Sequence, residues 1–262
     1  ERVVWQAMLE NVHVLIFPET VMSENGAEQL RTTIPTLAKR YVEENLTAPE
    51  LAYIFAGISN NREKDYQNYS AVFDIFGAEI FRQYKIFPWD LREDQVTMYG
   101  IRRRNPKINT PLLECIKGGD HVNVVDLAEF GRVVSFICAD SDYGMPGDWL
   151  LSRIRIDFLN APIMDKSSSW PSASDRGSWI TRRALRAALI SRSNVVISNS
   201  MVLSHLLNDE NEMISDPRIS STANIALFAN GGITEPATGE LSVALDHSLD
   251  RDIIRTFSIS LA

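Results

Sequence analysis

The chain has 262 residues, 45% hydrophobic and 23% charged, a globular balance that excludes wholesale disorder, collagen and low-complexity architectures. Its net charge of −8, from 26 basic and 34 acidic residues, argues against direct nucleic-acid binding, with Arg102–Arg104 and Arg182–Arg183 reading as solvated local exceptions. No apolar run approaches the ~18 residues of a membrane span. Cys115 and Cys138 are the only cysteines, too few for a disulfide scaffold, so a reducing, cytoplasmic setting is expected.

Residues 2–10 are predicted to form a short helix, and Val12–Phe17 (VHVLIF) a strand that stops at Pro18. Apolar positions at Ala27, Leu30, Ile34, Leu37, Ala38, Tyr41 and Val42 give helical spacing over 26–46, with Pro35 expected to start or kink that helix. LAYIFAGIS (51–59) reads as a buried strand. A polar turn over 60–65 follows, then strands at 69–77 and 81–87 that form a hairpin around Phe76–Ala78. Residues 90–117, charged and carrying Pro106 and Pro111, read as an exposed insertion. Strands at 121–128 and 132–139 make a second hairpin turning at 129–131. Beyond it come a helix near 146–155, a strand at 158–164 and a Ser-rich loop at 165–176. A helix at 177–192 places Arg on one side and Ala, Leu and Ile on the other. Strands at 194–201, 223–229 and 240–245 follow, the last two flanking the turn at 230–232. There is no internal repeat. Alternating strands and helices interspersed with hairpins argue a layered α/β fold with two packed mixed sheets and helices outside.

Standard catalytic motifs are absent. There is no GxSxG elbow, no phosphate-binding glycine loop and no CxxC, HExxH or HxxxH, so neither a cofactor nor a metal is expected. Three residues share one feature: each is a reactive polar group at the end of an apolar strand. Glu19 ends VHVLIFPE, Lys85 lies in FRQYKIFPW and Cys138 ends RVVSFIC. Strand ends hold functional groups rigidly, and a carboxylate, an amine and a thiol together make a nucleophilic apparatus. Taken singly, each has a plainer reading: a surface Glu, a Lys that snorkels to water, an inert buried Cys.

The blocks that carry these residues resemble the nitrilase (carbon–nitrogen hydrolase) superfamily. VLIFPET resembles its first motif. YQNYSAVFDIFGAEIFRQYKIF resembles the second, with a Tyr-x-Asn, a hairpin turning at Gly and then Tyr-Lys. KGGDHVNVVDLAEFGRVVSFICAD resembles the third, which leads into Ile-Cys-x-Asp. DFLNAPIM, RRALRAALISRSNVVISNS and the turn at 230–232 are similar to later family elements, so the likeness runs nearly the whole chain in order. The resemblance implies a four-layer α-β-β-α sandwich formed by one domain over 1–262. It also implies Glu19 as general base, Lys85 as electrostatic stabiliser, Cys138 as nucleophile and Glu93 as the second glutamate that holds the lysine. The oxyanion would be met by Lys85 and the Ala139 N–H.

The chain departs from the family in three ways. Ala139 replaces a bulky or acidic residue after the cysteine, and Asp140 at the next position is closer to the amidase-type Cys-x-Asp. Glu19 comes early, which leaves the family's first strand to an upstream segment and leads us to expect a further domain in the same polypeptide, such as a phage-defence reverse transcriptase. The insertion at 90–117 lengthens the interval from Lys85 to Cys138. The expected function is amidase-type hydrolysis of a small non-peptide carbon–nitrogen bond through a thioester. The alternatives are acyl transfer from the same thioester, or an assembly domain of an antiviral protein that associates as a homo-oligomer through the helix near 177–192.

Overall fold

The computed structural model of the chain describes residues 1–62, 65–93, 96, 112–128, 130–165, 179–191, 193–200 and 225–227. Two five-stranded sheets are present among them. The first contains β1 (Val14–Ile16), β2 (Met22–Ser23), β3 (Tyr53–Arg62), β4 (Asp65–Asp74) and β5 (Glu79–Tyr84), in the order β1-β3-β4-β5 with β2 also on β3. β1 and β2 run parallel to β3, and β4 and β5 run antiparallel. A separate short pair is formed by β6 (Asp90–Leu91) and β7 (Leu112–Leu113). The second sheet has the order β12-β11-β10-β9-β8, from β8 (Val125–Leu127), β9 (Gly131–Ser135), β10 (Phe158–Ile163), β11 (Asn194–Asn199) and β12 (Ile225–Leu227).

Strand alternation sets the layers. On β3, Ile54, Ala56 and Ile58 point outward to helices α1 (Arg2–Leu9) and α2 (Glu24–Asn45), where they meet Val4, Met8, Ile34 and Leu37. Phe55, on the opposite face, meets Val72, Phe81, Val133, Phe158 and Val196 between the sheets. Leu159, Ala161, Ile163, Val195 and Ile197 face outward on the second sheet. They are covered by the short α3 (Trp149–Leu151) and by α4 (Trp179–Ser191) through Leu150, Ile180, Ala184 and Ala187. The result is the expected α-β-β-α sandwich with mixed sheets.

Between the sheets the packing changes character along the strands. Beyond the aromatic row comes a buried polar row in which Asn160 Nδ2 reaches Ser70 Oγ at 3.5 Å and Ser135 Oγ at 3.3 Å. One further step along, at the ends of β1, β5, β9, β10 and β11, lie the residues of the candidate site.

Several local expectations are corrected. Pro35 does not start α2 but sits inside this 22-residue helix. Proline has no N–H to give the Arg31 carbonyl, and the β4–β5 turn packs there. A Cβ on Gly77, at φ 77°, would lie 2.1 Å from the Arg31 oxygen. β3 and β4 extend to Arg62 and from Asp65, so the turn is shorter than predicted. The helix predicted near 146–155 shrinks to α3, because Gly144, Pro146 and Gly147 hold residues 144–148 in a wide turn with Met145 extended. Residues 121–124 are not strand: Asn123 and His121 instead bond to Arg82 and Gln83, carrying the chain from one sheet to the other. The insertion is not wholly exposed, since Leu91 and Val96 are buried and residues 114–119 return against β5. Of the Ser-rich loop predicted at 165–176, residues 166–176 lie outside the described residues, as do the turn at 230–232 and the strand at 240–245.

Candidate active site

Glu19 leaves β1 on a segment that crosses directly over Gly57 of β3. A Cβ on Gly57 would lie 1.9 Å from the Pro18 oxygen and 2.8 Å from Glu19 Cα, so only glycine admits this crossing. The next residue, Thr20, is held at φ 52°. That is a strained conformation for a β-branched residue, of the kind that persists where the surroundings impose it. Glu19 is thereby driven inward and is 1% exposed.

Lys85 follows β5 and is also 1% exposed. Its Nζ donates to Glu19 Oε1 at 2.9 Å and to Glu114 Oε2 at 2.6 Å. Asn68, on the neighbouring β4, divides its amide hydrogens between the same two carboxylates, donating to Glu19 Oε1 at 2.8 Å and Glu114 Oε1 at 3.2 Å. Glu19 Oε2 and Asn68 Oδ1 are buried without a hydrogen-bond partner among the described residues.

The carboxylate that reaches Lys85 alongside Glu19 is therefore Glu114, and the assignment of Glu93 to that place is corrected. Glu93 is exposed, just past β6, where the chain is already leaving the site. Glu114 arrives from the far end of the insertion. Its N–H bonds the Trp89 carbonyl at 2.8 Å, and its Oε2 accepts the Trp89 N–H at 2.9 Å. Gly118 and Gly119 make this return possible. A Cβ on Gly118 would lie 2.5 Å from the Ile86 oxygen and one on Gly119 2.9 Å from Tyr84 Cβ, while the Gly119 N–H bonds the Lys85 carbonyl at 2.8 Å. The signal was present in LLECIKGGD, where a carboxylate ends a short apolar strand just before a glycine pair. Asn68 was legible only as part of a motif.

Cys138 begins a tight 3-10 turn, Cys138–Ser141, beyond β9. It is buried, and its backbone sits at φ 48°, a second strained position at this end of the sandwich. Ala139, half-buried, presents the next backbone N–H of the turn. The turn is also tied outward: Arg183 of α4 bonds Asp142 at 2.8 Å and Arg186 bonds Asp148 at 2.8 Å.

The electrostatics follow from burial. Burial pushes the Cys138 thiol well up, the Glu19 charge adds to this, and Lys85 opposes it, so the resting group is a thiol. Burial likewise raises Glu19 above the usual carboxylate range, against the pull of Lys85. Burial disfavours the Lys85 charge, but Glu19, Cys138 and Glu114 outweigh it and the ammonium is held above its ordinary value. Glu19, Lys85 and Cys138 are thus gathered within electrostatic reach of one another, with Asp165 beyond β10 also acting on the thiol. No group of metal-ligating side chains occurs among the described residues.

No protein-family profile matches the chain, and no curated protein matches it by sequence. Solved structures do match it. The C. elegans NitFhit protein aligns with a TM-score of 0.54 at 14% identity, covering 88% of this chain and 51% of that one, so the chain spans about half of NitFhit. A mutant of the amidase from Nesterenkonia sp. AN1, showing the result of Michael addition of acrylamide at the active site cysteine, aligns with a TM-score of 0.48 at 10% identity over 76% of this chain and 69% of that one. With two mixed sheets packed face to face between helical layers and the NitFhit alignment, the chain has a nitrilase-like α/β fold.

Proposed function

We propose that this domain is a thiol-dependent hydrolase of small non-peptide amides. The observation that supports this most strongly is the buried Glu19–Lys85–Glu114 cluster beside a buried cysteine at φ 48°. Burying an ammonium between two carboxylates carries a desolvation penalty of several kcal/mol per ion, and a hydrophobic core would serve stability as well. Such perturbed clusters concentrate at functional sites.

Because the thiol rests protonated, attack needs a base at the moment of reaction rather than a standing thiolate. Glu19, its affinity for protons raised, takes the thiol proton on Oε2, the oxygen that has no other partner among the described residues. Sulfur then adds to the carbonyl carbon. The oxyanion is met by the Lys85 ammonium and the Ala139 N–H, each such donor being worth about 10²–10³-fold. Glu19 returns the proton to the leaving amine, and the thioester forms. A water then loses its proton to Glu19 and adds to the thioester, and the acid leaves as Cys138 regains its proton. General acid–base work of this kind contributes roughly 10²–10⁴-fold. Glu114 and Asn68 hold Lys85 and Glu19 in place throughout. Ammonia release from a panel of primary amides tests the proposal: turnover is expected in the wild type and none in Cys138→Ala. Full activity in Cys138→Ala on any substrate found would overturn it.

A second property has its own observation. On α4 the side chains of Leu189 and Ile190 are exposed, at 68% and 39%, beside buried Ala187 and Ala188. We propose that this face carries self-association. Sedimentation of the wild type against Leu189→Glu tests it, and a monomer in both would remove the idea.

A further inference from the structure

We infer that Asp140 is the positioning residue that fixes the nucleophile turn against the lysine strand, an assignment that rests on the amidase reading of the same site. Asp140 is 1% exposed and lies two residues past Cys138. Its Oδ1 accepts two backbone N–H groups from across the sandwich, Ile86 at 3.0 Å and Phe87 at 2.9 Å. Its Oδ2 accepts the N–H of Ile137 at 3.3 Å. One carboxylate therefore grips the chain one residue before the sulfur and one residue after the ammonium. The two backbones come from different sheets, β9 and β5, and neither strand pairs with the other.

The rest of the contact has the same sense. The ring of Phe87 stacks on Tyr143 at 4.1 Å, beyond the turn, and among the described residues the Ser141 hydroxyl bonds back to the Phe136 carbonyl at 3.4 Å within its own segment. Asp140 thus sets the distance from sulfur to ammonium, while Ser141 serves the turn alone. Three N–H groups aimed at one buried carboxylate also favour its ionised form against burial. Asparagine at this position keeps the size but places an N–H₂ where one of those N–H groups now points.

The test is the second-order rate at which iodoacetamide alkylates Cys138, read by peptide mass spectrometry so that exposed Cys115 is counted separately. Asp140→Asn is expected to lower this rate at least tenfold, and Ser141→Ala less than threefold. In a Lys85→Met background, where the group being positioned is gone, Asp140→Asn is expected to cost less than threefold. Lys85→Gln, which also removes the ammonium but keeps a hydrogen-bond donor toward the two carboxylates, provides a second background should Lys85→Met not fold. An unchanged rate in Asp140→Asn, or the same fold-loss in both backgrounds, overturns the assignment, the latter because a merely structural role is indifferent to Lys85. Wild-type hydrogen exchange gives a readout without variants: the Ile86 and Phe87 amides are expected to be strongly protected, and exchange at unprotected rates overturns the clamp. Alkylation needs no amide substrate, so the expected coupling in a protein that hydrolyses nothing would refute the hydrolase reading and leave Asp140 in its role.

Discussion

Replacing Gly57 by alanine is expected to disable the site without touching any residue that reacts. The added Cβ would lie 1.9 Å from the Pro18 oxygen, 2.7 Å from its carbon and 2.8 Å from Glu19 Cα, all backbone atoms. Side chains essentially never approach closer than 3.0 Å in this way, so the Pro18–Glu19 segment must retreat by about an ångström. A misplacement of that size at a catalytic base costs on the order of 10²-fold in rate, and overpacking costs roughly 1–3 kcal/mol of stability. The variant should therefore melt below the wild type yet stay folded near 20 °C, with kcat for amide hydrolysis down about a hundredfold. Gly26→Ala, on the exposed first turn of α2 where the new Cβ meets nothing closer than 3.4 Å, is the control. A folded Gly57→Ala protein with kcat within threefold of wild type would show that Glu19 does not depend on this crossing.

Other expectations follow from the same contacts. Glu114→Gln should lower kcat by roughly ten- to a hundredfold, since it removes a charged partner of Lys85, whereas Glu93→Gln should stay within twofold; the opposite order would restore Glu93. Lys85→Met leaves two carboxylates facing each other and should destabilise by about 3–5 kcal/mol in urea unfolding at pH 8, with part of that loss recovered at pH 5 as Glu19 takes a proton. Burial raises Asp140 from the usual aspartate range to about 7, against the backbone N–H groups of Phe87 and Ile86. A folded-state value above the unfolded one means that stability is lost as pH rises between them. From pH 4 to 7 the wild type should therefore lose stability relative to Asp140→Asn, with a limiting slope of about 1.4 kcal/mol per pH unit. A flat difference across that range would contradict the placement of this carboxyl.

What could be read from the sequence, and what could not, divides along physical lines. The near-continuous apolar runs YIFAGIS and FLNAPI marked both sheets, because strands buried on two faces must be apolar almost throughout. The strand-end positions of Glu19, Lys85 and Cys138 were legible for the same reason: a polar group closing an apolar strand interrupts a pattern. Glu114 was marked only as an acid closing a short apolar stretch before a glycine pair; its role was hidden, since it reaches Lys85 from 29 positions further along the chain and its neighbours Gly118 and Gly119 act through backbone approach, which leaves no hydrophobic period. The double duty of Asp140 was hidden because its partners are main-chain N–H groups, and these carry no residue identity. The helix predicted near 146–155 is cut short by three breakers in four residues, Gly144, Pro146 and Gly147.

The most direct test of the central claim is the covalent one. The protein, mixed with a primary amide that it turns over and quenched in acid within milliseconds, is digested and weighed peptide by peptide. The acyl mass is expected on the peptide bearing Cys138 of the wild type, absent from that bearing Cys115, and lost in Glu19→Gln, where the thiol has no base. Turnover by the wild type with no acyl group on Cys138 would contradict the account.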